Sequence, residues 1–145
     1  MSANQHDPVT IEQVNDFNTF IERGINALQF GQMEEQDYLN LIRLPIYGAC
    51  LINQLSRFDA AGQIAAAEAD MHIASEALTA IGQRWTDTGN FVARADELAA
   101  LRQALYLTTD ILRLANNSHA MRAANETGRI IAAQELKMRR QARKL

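Results

Sequence analysis

Three histidines, one cysteine and 17 acidic residues are the material for chemistry in this 145-residue chain. Glu68, His72 and Glu76 stand at i, i+4 and i+8, so on a helix they share one face. Two carboxylates around an imidazole are a plausible donor set for a divalent metal. Di-metal bundles, however, carry a Glu-x-x-His pair on each of two helices and add further carboxylates. Here the spacing is Glu-x-x-x-His and it occurs once. A solvent-facing helix pair is the better account, and no metal or cofactor ligand is nominated. Ser118 and His119 are neighbours in the chain, which makes no triad, because triads are spatial arrangements. No Gly-x-Ser-x-Gly elbow, Walker loop or Gly-x-Gly-x-x-Gly turn occurs. No catalytic residue is nominated, and the chain reads as non-enzymatic.

Cys50 is the only cysteine, so the chain holds no internal disulfide. Its neighbours Gly48, Ala49, Leu51 and Ile52 are small or apolar. It reads as a buried thiol packed as a small hydrophobe, which fits a reducing, cytoplasmic setting. The polar start, Met1 to Asp7, is not a secretory signal, and the most apolar stretch, Tyr38 to Phe58, is too polar to span a membrane.

Charge is uneven along the chain. The net formal charge is −3, yet residues 1–97 balance to −9 and residues 98–145 to +6. Lys137, Arg139, Arg140, Arg143 and Lys144 close the chain with no acid among them. Three readings stay open: a solvated helix end whose cations suit the helix dipole, a match to the acidic front within or between subunits, or phosphate contacts to a nucleic acid. Trp85, the only tryptophan, falls at a core-like position near a helix end. With Arg84 beside it, it is the candidate protein interface, since tryptophan and arginine are common interface anchors.

The elements that would position these groups are helices. Two prolines, seven glycines and little valine leave few breakers and little material for a sheet. The first helix is expected from Thr10, which has capping-box spacing to Gln13, to a stop at Gly31. Ile11, Val14, Ile21, Ile25 and Leu28 are expected on one face, widened by Phe17 and Phe20. The second helix, about Met33 to Phe58, is apolar around nearly its whole circumference and should be the central one. Pro45 should kink or split it, and Gly48 admits a close neighbour.

The third helix, about Ala60 to Thr86, carries Ile64, Ala67, Met71, Ala74, Leu78, Ile81 and Trp85 at alternating steps of three and four. That is a knobs-into-holes seam. A second stripe, Ala66, Ala69, Ile73, Ala77 and Ala80, would let another helix come close. Thr88-Gly89-Asn90 reads as a turn with Asn90 as N-cap. The fourth helix is expected from Phe91 to Ala115, with a break at Asn116-Asn117-Ser118, and His119 as a hydrogen-bonded residue at the bundle end or in the turn. The last helix, His119 to Leu145, is expected to face inward with Met121, Ala124, Gly128, Ile131 and Met138.

The sequence therefore predicts an all-α, single-domain bundle of four to five mostly antiparallel helices: a flexible leader over 1–9, the bundle over 10–136 and a basic end over 137–145. Several helices show more apolar surface than one small bundle covers, and surplus apolar surface finds partners. The leading expectation is a non-enzymatic protein-protein interaction protein of adaptor, chaperone-like or regulatory type, homo-oligomeric, with itself or another protein as partner. The alternative is a nucleic-acid-associated regulator using the arginine-rich C-terminal helix. No membrane partner is expected.

Overall fold

The computed structural model describes residues 4–55 and 63–143, with the side chains of residues 63–65 and 142 left out. It is an all-α bundle of five helices: α1 (Ile11–Gln29), α2 (Glu35–Leu55), α3 (Gln63–Thr88), α4 (Ala95–Leu114) and α5 (Asn117–Arg143). The helix ends expected at Phe58 and Ala60 lie outside the described residues, as does the side chain of Ile64.

Local chemistry sets most boundaries. Thr10 caps α1 through the Gln13 N–H, and Gln13 returns a bond to the Thr10 N–H, at 3.1 and 2.9 Å. The other end is a Schellman closure: the Gly31 and Gln32 N–H groups donate to the Leu28 and Ala27 carbonyls while Gly31 takes φ +70°. The α4 N-cap is Arg94, not the expected Asn90. The intervening segment, Phe91 to Ala93, is drawn out of the helix because Phe91 packs into the core. Ala115 breaks the chain between α4 and α5 with extended backbone (ψ 155°), and Asn116 then caps α5. His119 is the reciprocal partner of that cap: Asn116 Oδ1 accepts from the His119 N–H at 2.9 Å, and His119 Nδ1 accepts from the Asn116 N–H at 3.3 Å. Residues Gln5 to Val9 hydrogen-bond to this same junction, at Ala115, Asn117 and Ser118.

α2 is the central helix, packed against each of the other four. Leu41, Leu44, Leu51, Ile52 and Leu55 are buried along it. Pro45 lies inside α2, which continues past it, so the helix gives up one backbone bond without splitting. Gly48 admits α3 and α4: a Cβ there would stand 2.5 Å from Met71 Sδ and 2.7 Å from Thr108 Oγ1.

The seam of α3 buries Ala67, Met71, Ala74, Leu78 and Ile81, as its spacing requires. Four expectations are corrected. The second stripe of α3 stays on the surface at Ala66, Ala69 and Ile73, with only Ala77 buried. Ile11 and Phe20 of α1 are exposed. Trp85 ends the seam at the surface, 36% exposed. In α5 the inward stripe is shifted by one residue: Ala123 and Thr127 are buried, whereas Met121, Ala124 and Gly128 are exposed. Small residues at 123 and 127 let α5 approach α2 closely, and the Thr127 hydroxyl is satisfied by donating to the Ala123 carbonyl at 2.7 Å.

Candidate functional site

The central helix is not covered all round. Leu39, Ile42, Ile46 and Ala49 recur along α2 at steps of three and four, the spacing of one helix face. They form the floor of an open groove that α3 walls on one side and α5 on the other. Its two halves, about 490 and about 570 Å³, meet at Pro45, Ile46 and Ser75. The α3 wall mixes polar His72, Ser75, Thr79, Gln83 and Thr86 with apolar Met71, Leu78 and Trp85. The α5 wall presents Glu126, Ile130, Gln134 and Met138. Leu39 is 46% and Met138 68% exposed at the end nearer Trp85, whereas the floor at Ile46 and Ala49 is half-buried.

An aromatic stack closes one end. Trp85 lies parallel on Phe91 with ring centroids 5.2 Å apart, and Phe91 stacks on Tyr38 at 5.1 Å. The Tyr38 hydroxyl donates to the Leu78 carbonyl at 2.7 Å, filling the notch over Gly82, where an added Cβ would collide with the phenol. Burial of that ring raises the Tyr38 pKa above its ordinary value. Trp85 thus belongs to the groove. Arg84 does not, because it turns to α4: its guanidinium makes a two-pronged pair with Glu97 at 2.5 and 2.7 Å and donates to the Val92 carbonyl at 2.9 Å. Glu97 also accepts from the Arg94 N–H at 2.8 Å. The hydrogen bonds from Arg84 hold the Glu97 carboxyl below its ordinary pKa. The two candidate interface residues are therefore parted, one into the groove and one into the α3–α4 joint.

The groove's ionic character is one-sided. Glu35, Glu68 and Glu126 line it, Glu126 paired with Arg129 at 3.0 Å, and among the described residues no lysine or arginine lines it. His72 pairs with Glu76 at 3.0 Å on the open surface of α3. Among the described residues no group of three or more His, Cys, Asp and Glu side chains is placed to hold a metal ion. Cys50 lines the groove floor but is only 7% exposed, and burial pushes its thiol pKa up, away from the nucleophilic thiolate. Burial also pushes the neighbouring Tyr47 hydroxyl up to about 12.

Lys137, Arg139, Arg140 and Arg143 lie on the last turns of α5, all exposed, and none pairs with a carboxylate among the described residues. Lys144 lies outside the described residues. Sequence reasoning missed the groove itself. Its signal was present in the all-round apolar character of α2, but which of the stripes stays uncovered depends on how five helices share one centre.

No described helix is long and apolar enough to cross a membrane. Comparison with protein-family models, with curated proteins and with solved structures returns no match.

Proposed function

We propose that this chain is a non-enzymatic protein-interaction module, and that the groove over α2 is the surface it offers to a helix of a partner. The observation that carries the reading is the apolar groove floor, exposed at Leu39 and half-buried at Ile42, Ile46 and Ala49, between walls that mix polar and apolar side chains. An amphipathic helix recognises such a groove through apolar side chains at i, i+3, i+4 and i+7. Burying that stripe beneath a partner helix removes the apolar surface that the fold leaves in water. The polar side chains of the walls then set register and partner choice more than affinity.

The test is a photoreactive amino acid placed at Ile46, with a second at Tyr106, which is 62% exposed on α4 away from the groove. Irradiation in extract of the native cells should crosslink a polypeptide, whether another protein or a second copy, from position 46 and not from 106. Equal labelling from both positions, or none from 46, contradicts the reading.

A second reading has an observation of its own, the exposed Lys137, Arg139, Arg140 and Arg143 of α5, which pair with no carboxylate among the described residues. On this reading they neutralise phosphates, so nucleic-acid affinity falls steeply with salt and disappears when the chain is cut after Gln134. Binding retained by the truncated chain excludes it.

A further inference from the structure

We infer that the occupant of the groove is α5 of a second copy of this chain, and that two copies pack these helices reciprocally in a symmetric dimer, each α5 staying on its own α2. The inference rests on the groove being a helix-binding surface and adds the identity of the helix.

α5 presents two faces beyond residue 130. Gln134 and Met138 face the molecule's own groove. At about 100° per residue, Leu136, Arg140 and Arg143 fall on the opposite face. This outer face is exposed, with Leu136 at 50%. Ala132 and Ala133 precede Leu136 on it as further small apolar residues, also exposed. The outer stripe is thus short and apolar, and it ends in arginines. The groove is apolar along its floor and lined by Glu35, Glu68 and Glu126, of which Glu126 already pairs with Arg129 at 3.0 Å; among the described residues no lysine or arginine lines it. The helix is cationic where the groove is anionic, and each leaves apolar surface uncovered.

The placement of the two surfaces also suits reciprocal packing. α5 is one wall of its own groove, so its outer face points away from its own α2. Laid in the groove of a second copy, that outer face meets the second α2 while the inner face stays on the first. The reciprocal contact follows by two-fold symmetry, with the two α5 helices side by side between the two α2 helices. Such an interface is isologous and closes at two copies, leaving no free end for further growth.

Sedimentation of the full chain over a concentration series tests this. The expected result is a monomer–dimer equilibrium that weakens as salt rises. Leu136→Glu and Ile46→Glu should each weaken the dimer by at least about tenfold, and Tyr106→Glu should leave it unchanged. Circular dichroism confirms that each variant is folded. The charge-reversed pair Arg140→Glu/Arg143→Glu should weaken the dimer, and adding Glu68→Arg to the same chain should restore it in part. A monomer at every concentration, or a dimer indifferent to both Leu136→Glu and Ile46→Glu, overturns the inference. If in that event position 46 still crosslinks a different polypeptide in cell extract, the groove remains an interaction surface and only the second copy as occupant is lost.

Discussion

Glu97 shows how much of this fold rests on single polar residues at helix ends. Its carboxylate joins α3 to α4 through Arg84 and also accepts the Arg94 N–H at the start of α4. Because its pKa in the folded chain lies below the ordinary value, the folded state favours the ionised form. The stability it contributes is present above the unfolded carboxyl's pKa and is lost as pH falls through the lower folded value. Urea denaturation across the acidic range should therefore show wild-type stability falling with pH. Glu97→Gln should be less stable at neutral pH and show a flatter acid limb; an unchanged limb contradicts the role given to this pair. Gly82 makes a second case. A methyl there collides with the Tyr38 phenol, so Gly82→Ala should displace the hydroxyl from the Leu78 carbonyl and cost on the order of 1–3 kcal/mol. Tyr38→Phe removes the clashing oxygen, so the double variant should be clearly less destabilised than the sum of the singles; simple additivity in a double-mutant cycle would refute the coupling. Neither residue's role was legible in the sequence. Gly82 belongs to no glycine motif, and Arg84 reads as a companion of Trp85, because side-chain direction at a helix end depends on the following turn.

The helices themselves were largely legible, and where they were not the reason is packing. Alternating three- and four-residue steps located the buried seam of α3, and the all-round apolar character of α2 identified the central helix. The same periodicity misplaced the inner face of α5 by one residue. Met121 and Met138 outweigh alanine and threonine in any hydrophobic count, yet close helix approach favours Ala123 and Thr127. The break at Ala115 was visible as a polar cluster, and the pairing of Asn116 with His119 as a cap was not. Centrality of α2 makes a sharp prediction. Leu44 is fully buried, so Leu44→Ala should destabilise the fold by about 2–5 kcal/mol in chemical denaturation. Leu39→Ala, on the same helix but 46% exposed in the groove, should cost far less. Equal losses would mean that α2 is not buried as described.

At the scale of the whole molecule, five helices share one core and leave an apolar, acid-lined groove beside a basic helix end. The sequence showed the surplus of apolar surface, but not its location, because more than one stripe of α2 is apolar until its neighbours are placed. Exposed apolar side chains also occur outside the groove, at Ile11, Tyr106 and Leu114. They serve as internal controls, since single exposed apolar residues are ordinary on a protein surface. Carbene footprinting of the purified full chain across a concentration series tests the account most directly. Labelling of Leu39, Ile46, Leu136 and Met138 should fall as concentration rises, while labelling of Ile11, Tyr106 and Leu114 stays constant. Constant labelling at the groove, or protection appearing at the controls instead, would contradict it.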